Sequence, residues 1–572
     1  MTNQKVKPLT NSQESDFEGL LEEQPLTAAE SYQALLRSLR RKNGFNLLFV
    51  RCSPVQADEI IRGISQDLPN KNIQVLQLDS ETDNLYEKIV DLPNYTNLNI
   101  LFVRGLENAL LRYEEAESQG YFLSSQSPVY GGTWAGVPKI LGYLNLSRER
   151  FERQFPFTLV FLLPEFALRY FIRRASDFFD WYSGVYEFPT DKDILEKEIR
   201  RLVYLDSDLD TYQQFTPQQR QEKLAEIKAY LSDSPSLDPV RASQLWHEKG
   251  LIHAMGKEYE QAIASYDQAL EIKPDDHQAW NNRGIALYNL GRYEQAIASY
   301  DQALEIKPDD HQAWNNRGIA LYNLGRYEQA IASYDQALEI KPDDHQAWNN
   351  RGIALYNLGR YEQAIASFDQ ALEIKPDDHQ AWYNRGVALG NLGRYEQAIA
   401  SFDQALEIKP DDHQAWYNRG VALGNLGRYE EAIASYDQAL EIKPDDHQAW
   451  YNRGIALGNL GRYEQAIASY DQALEFKPDY HQAWYNRGNA LDDLGRYEQA
   501  IASYDRSIKI NSNDANTYYN KACCYGLQNN VELAIENLQR AINLDVKYQD
   551  MAKTDQYFEQ IRGDERFQSL LS

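Results

Sequence analysis

The sequence predicts a multidomain chain in which an α/β parallel sheet is followed by an all-α superhelical solenoid. Three observations carry this. A block of 34 residues, HQAWNNRGIALYNLGRYEQAIASYDQALEIKPDD at His277 to Asp310, recurs without gaps through the C-terminal half. Ahead of it, short apolar runs alternate with helical patterns from Asn46 to Phe188. Charge divides the same way: of a net −27, about −8 lies before Ser243 and about −19 after it. One block is too small to bury a core alone, so its copies must stack and share one, giving a long surface instead of a pocket.

In chain order, residues 1–27 read as a flexible tail, because MTNQKVKPLTNSQESDFEGLLEEQ lacks the apolar centre of a secretory signal. A helix is expected around Ala28 to Arg41. Strands are expected at NLLFV from Asn46, IQVLQL from Ile73, NILFV from Asn99, TLVFLL from Thr158 and GVYEF from Gly184. Helices fill Gln56 to Leu68, Leu85 to Leu92, Pro138 to Gln154 and Glu165 to Phe178 between them. Strands separated by crossover helices imply a parallel sheet covered on both faces. The most apolar stretch, FPFTLVFLLPEFALRYFI, is interrupted by Pro164, Glu165 and Arg169, which argues for a buried strand leading into a helix and against a membrane span.

With LNILFVRGLENAL and LPEFALRYFIRRASDFFDWYSGVYEF, residues 28–190 resemble the P-loop NTPase domain (AAA or STAND type) of bacterial signalling proteins that join an NTPase to a repeat array. The resemblance implies a phosphate loop after the first strand and a magnesium-holding acid after the third. This chain has RCSPVQADEII at the first place, without the Gly and Lys that GxxxxGK[ST] supplies. At the second, Arg104 and Gly105 follow Val103, and the nearest acid is Glu107. A substitute, GGTWAGVPK at Gly131 to Lys139, places Val137 and Pro138 where Lys and Ser or Thr belong. All nine histidines follow residue 243, so the N-terminal region has none for a triad, a base or a zinc site. The expectation is a module without catalysis, cofactor or metal. Aromatic residues around Trp181 are expected in its core.

Residues 191–242 read as a charged helical linker ending in SDSPSLDP. Residues 243–548 hold nine copies of the block, and 549–572 a capping helix pair bearing Phe558, Ile561, Phe567 and Leu570. Within a copy, Ala279, Trp280, Ile285, Ala286, Leu287 and Leu290 mark a first helix that Gly291 ends. Tyr293, Ala296, Ile297, Tyr300, Ala303 and Leu304 mark a second that Pro308 stops. Asp309 and Gln312 have capping-box spacing for the next first helix. Gly284, Ala296 and Ala303 sit where helices would approach closely.

Trp at slot 4, Gly at 8, Ala at 20 and 27 and Pro at 32 make the block resemble the tetratricopeptide repeat (TPR). That resemblance implies that slots 2, 5, 6, 9, 12 and 13 line a concave face. Slot 6 is Asn at 282, 316, 350, 384, 418, 452 and 486: Asn282, Asn316, Asn350, Asn384, Asn418, Asn452 and Asn486. Asn both donates and accepts, so the row resembles the asparagine ladder of peptide-gripping TPR superhelices. Duplication of a block with a solvated Asn would leave the same row.

Two groups of copies differ in this groove. Copies starting at 277, 311 and 345 carry Tyr288, Tyr322 and Tyr356 at slot 12. Those starting at 379, 413 and 447 carry Tyr383, Tyr417 and Tyr451 at slot 5, with Gly390, Gly424 and Gly458 at slot 12; Tyr485 continues the slot-5 row. Seven residues is two helical turns, so the aromatic shelf shifts by roughly 10 Å along the helix. Two rounds of duplication would produce the same two variants.

The groove is otherwise near neutral, since most acids fall on the second helix and the turn. Asp492 and Asp493, at slots 12 and 13 of the copy starting at His481, make its C-terminal end acidic, matching a Lys, an Arg or an amino terminus. Gln at slot 2, with Asn or Tyr at slot 5, excludes the lysine clamp of chaperone-binding TPR adaptors. Arg at slot 7 is expected to pair with the block's own acids. The partner is therefore a protein or peptide, with no role for nucleic acid, which needs clustered Lys and Arg, or for a membrane. Three cysteines, two of them adjacent, fit a reducing cytoplasm.

Overall fold

The computed structural model describes residues 27–41, 44–79, 81–111, 138–189, 199, 215–233 and 237–572. The expected tail, most of GGTWAGVPK and most of the linker lie outside these. The chain divides into two compact units, 1–308 and 309–572.

In the first unit, strands β1 (Asn46–Arg51), β2 (Ile73–Gln77), β3 (Ile100–Arg104), β4 (Thr158–Leu163) and β5 (Gly184–Glu187) form one sheet in the order β2-β3-β4-β1-β5. All pairings are parallel, with Phe49 opposite Phe161 and Phe102 opposite Val160. Period-two alternation sends Leu47, Phe49, Leu101, Val103, Leu159 and Phe161 into one core. Leu48, Val50, Ile100, Phe102, Val160 and Leu162 enter the other, under helices Ala28–Arg41 and Pro54–Asp67. Burial on both faces explains why these strands are continuous apolar runs. Phe49 stacks on Phe161 at 5.3 Å and meets Phe171 edge-on at 5.1 Å.

Helix Pro217–Asp233 packs against both Glu165–Arg174 and Pro239–Met255. Leu224 and Ala225 of that helix join Leu245 and Ile252 of the first copy in the sheet's own core. The first repeat is thus built into the N-terminal hydrophobic core.

In the second unit, copies starting at 311, 345, 379, 413, 447, 481 and 515 are helix pairs such as His345–Asn357 with Tyr361–Ile374. The Gly between the two helices adopts φ +74° at Gly359, a left-handed position that L side chains rarely take. Gly352 has a different role: a Cβ there would lie 2.5 Å from the Phe368 ring, so only Gly lets the two helices close. The helix-starting cap is not the expected Asp309 pattern but its neighbour. Asp344 accepts from the backbone N–H of Gln346 and Ala347 at 3.0 and 3.2 Å, and Asp310, Asp378, Asp412 and Asp446 cap in the same way. The turn residue just after Pro stands one place too early to reach those donors.

At the C-terminal end, helices Lys547–Thr554 and Glu565–Leu571 close the stack, with Phe558, Ile561 and Phe567 buried and Leu570 packed beside them. No described helix is long and apolar enough to cross a membrane.

Candidate functional site

In the second unit each first helix touches the first helix of the next copy, which brings their slot-5, -6, -12 and -13 side chains into one row. The Asn row is not a set of isolated groups. From Asn350 onward the slot-6 amide bridges to slot 5 of the preceding copy: Asn350 donates to Asn315 Oδ1 at 3.3 Å, and Asn384 to Asn349 Oδ1 at 3.1 Å. In the second group the acceptor is a tyrosine hydroxyl. Asn418 donates to Tyr383 at 3.0 Å, Asn452 to Tyr417 at 2.9 Å and Asn486 to Tyr451 at 3.0 Å. Asn520 continues the series on Tyr485 at 3.1 Å. In the first unit Asn282 occupies the same place, 2.9 Å from His247 Nε2. Asn316 stands at slot 6 of the first copy in the second unit.

The shift of the aromatic shelf has a structural counterpart. Where Tyr sits at slot 12, its hydroxyl accepts from slot 13 of the next copy: Asn357 to Tyr322 at 3.1 Å and Asn391 to Tyr356 at 3.0 Å. Both groups therefore keep a Tyr–Asn bond between neighbouring copies, and moving the ring by seven residues moves the bond with it. The rings are held by their own copy. Tyr322 and Tyr356 lie 5.4 and 5.3 Å from Tyr327 and Tyr361, as Tyr288 does from Tyr293 at 5.4 Å. Tyr383, Tyr417, Tyr451 and Tyr485 lie 6.0 to 6.2 Å from the slot-24 ring.

Burial pushes the hydroxyls of Tyr383, Tyr417 and Tyr451 up, the last to about 12, so each keeps its hydrogen at neutral pH. A rung such as Tyr383–Asn418 spends one N–H of the amide. The amide's second N–H, its Oδ1 and the hydroxyl hydrogen have no partner among the described residues. Two donors and an acceptor per rung match the alternating C=O and N–H of an extended backbone. At the junction of the two groups, Asn349, Ile353, His379, Tyr383, Asn384 and Lys409 line a recess of about 440 Å³ that also reaches His413.

Arg at slot 7 is structural, as expected. Arg351 donates to Asp335 at 2.6 Å and to Ser367 at 2.7 Å, and lies 5.7 Å from the Trp348 ring centre. The two acids of the copy starting at His481 separate. Asp492 is half-buried and accepts from the Cys524 thiol at 3.2 Å, whereas Asp493 is exposed. Burial raises both carboxyls above their usual range. Sequence reasoning missed the slot-13 asparagines as partners of slot-12 tyrosines. The signal was present: Asn stands at slot 13 in each of the copies from 277 to 447.

In the N-terminal unit, the place after β1 is filled by the chain itself. Ser53 caps helix Pro54–Asp67, accepting from Gln56 N–H at 3.3 Å, while the Gln56 side chain accepts from Ser53 N–H at 2.9 Å. Arg51, at the end of β1, pairs with Glu165 at 2.8 Å and Glu187 at 3.1 Å. Arg104, at the end of β3, pairs with Asp58. Glu107 has a buried Oε2 without a partner among the described residues, and burial pushes its carboxyl up to about 7. Trp181 packs against the sheet's core, as expected.

The tetratricopeptide repeat family matches residues 254–311, 281–345, 315–379, 349–412, 383–447 and 451–515, and a second tetratricopeptide repeat family matches 503–536. Among solved structures, the chain is similar to YrrB, described as a TPR protein with an unusual peptide-binding site. Identity is 26%, over 32% of this chain and 95% of that one, with a TM-score of 0.30. It is also similar to a tetratricopeptide repeat protein from Parabacteroides merdae, at 19% identity over 44% of this chain and 98% of that one, TM-score 0.34. Pseudomonas aeruginosa pilF matches at 20% identity over 36% and 95%, TM-score 0.32. No curated protein matches the chain.

Proposed function

For a chain that carries tetratricopeptide repeats from residue 254 to 536, we propose the role of a protein-interaction scaffold. The row of first helices holds an extended segment of a protein partner, and the N-terminal sheet domain is a docking or regulatory module without catalysis. The observation that carries the groove reading is the set of rungs at Asn384, Asn418, Asn452 and Asn486. Each amide is fixed in orientation by the preceding copy and retains an acceptor and a donor for a ligand backbone. Pre-ordering of this kind lowers the entropy lost on binding.

For the N-terminal domain, the support is the occupied N-terminus of helix Pro54–Asp67. A phosphate bound at a helix start needs open backbone N–H groups and a glycine-lined approach. Here Ser53 and Gln56 close the helix end, and Arg51 is committed to Glu165 and Glu187. Calorimetric titration of the full chain with magnesium ATP and GTP tests this: no binding heat is expected. Binding at micromolar concentration would overturn the inactive reading in favour of a nucleotide-dependent switch with the array as its sensor.

A further inference from the structure

Gly458 shapes the C-terminal end of the row. At slot 8 of the same helix, a Cβ on Gly454 would lie 2.5 Å from the Tyr470 ring, so packing demands that glycine. At slot 12, a Cβ on Gly458 would meet nothing closer than the Tyr470 hydroxyl at 4.0 Å. The space that Tyr322 and Tyr356 occupy in earlier copies is open here. It forms a recess of about 210 Å³ whose lining includes Gly458, Tyr463, Tyr470, Asn486, Asn489 and Asp493.

Its chemistry differs from that of the other slot-12 glycines. The copies following Gly390 and Gly424 present Asn425 and Asn459 at slot 13, whereas the copy following Gly458 presents Asp493. Among the described residues no basic side chain pairs with Asp493. Asn486, which donates an N–H to Tyr451, also lines the recess. Tyr463 and the Tyr470 hydroxyl end supply further walls. Arg487, on the helix that ends at Asp493, is held by Asp471 and Ser503 at 2.6 and 2.7 Å, and Arg496 pairs with Glu464 at 3.2 Å.

We infer that this recess is a specificity subsite for a Lys or Arg side chain of the bound segment, with Asp493 as the acceptor and Tyr463 as a wall. The inference rests on the peptide-groove reading and adds the chemistry of one ligand residue to it. It also fixes register, because the one cationic side chain must fall at the C-terminal end of the row.

The test uses the full chain and a positional-scanning library of extended peptides with acetylated and amidated ends. One position is expected to prefer Lys or Arg over Met by about fivefold, the scale of one partly exposed ion pair. Asp493→Asn, which installs the residue found at this slot in other copies, removes the preference while overall binding persists. Gly458→Tyr, the residue of the first group, fills the recess and removes it as well. Peptide binding without a cationic preference, or a preference that survives both variants, overturns the subsite and leaves the groove reading standing. Absence of any peptide binding overturns the groove reading and the subsite with it.

Discussion

Two glycines four residues apart on helix His413–Asn425 should respond to alanine with opposite signs. At Gly420 the added Cβ would lie 2.6 Å from Tyr436 Cε1 and 2.8 Å from Cδ1, against a ring only 3% exposed. Overpacking of that kind costs about 1–3 kcal/mol, and the gain of roughly 1 kcal/mol from replacing a helical glycine only partly offsets it. At Gly424 the nearest atom is the Tyr436 hydroxyl at 3.9 Å, an ordinary contact. There Ala keeps most of the propensity gain, about 0.5–1 kcal/mol so close to the helix end. The two variants should therefore differ by about 1–3 kcal/mol, several degrees in melting temperature. Thermal and urea unfolding of the full chain, followed by circular dichroism, would show Gly420→Ala below the parent and Gly424→Ala at or above it. If Gly424→Ala loses stability as Gly420→Ala does, slot 12 is a packing requirement and not a vacancy, and the recess argument falls.

Removing the hydroxyl in Tyr383→Phe breaks the bond from Asn418 while keeping the ring, and should lower the unfolding free energy by about 0.5–1.5 kcal/mol, read by urea unfolding. Asp412→Ala removes the cap of helix His413–Asn425 and should cost about 1 kcal/mol, read as faster amide exchange at Gln414 and Ala415 than in the parent. Arg51→Ala strips Glu165 and Glu187 of a shared partner and should destabilise the N-terminal unit by about 1–3 kcal/mol; proteolysis of that unit under native conditions should quicken. Cys52, Cys523 and Cys524 are buried, and burial raises the thiols of the last two. The native chain should therefore resist a thiol-disulfide reagent at about pH 8 and react fully once unfolded.

Legibility in the sequence followed the length scale of the forces. Strands Asn46–Arg51 and Thr158–Leu163 were readable because burial on both faces writes a continuous apolar run. The repeat helices were readable because one block states its own period, its φ-positive Gly and its terminating Pro. The cap was misread by one residue: Asp309 and Asp310 are both acids, and only backbone geometry decides which reaches the Gln312 and Ala313 N–H groups. The site was legible as a row of residues and not as a network. Nothing in Asn418 alone says that one of its N–H groups belongs to Tyr383, because that bond joins residues 35 apart and depends on how adjacent copies stack. Likewise the two acids at 492 and 493 look equivalent in sequence, yet successive helical residues point about 100° apart. One reaches Cys524 and the other lines the recess.

The central claim is that the asparagine rungs grip the backbone of a bound segment. Its most direct measurement is the calorimetric affinity of a library-selected peptide for the chain carrying Asn384→Ala, Asn418→Ala and Asn452→Ala together, with the thermal unfolding of that variant as the control for inter-copy stability. Loss of three ligand hydrogen bonds predicts an affinity weakened about tenfold or more, with circular dichroism unchanged. An affinity equal to the parent's in a folded triple variant would contradict the account.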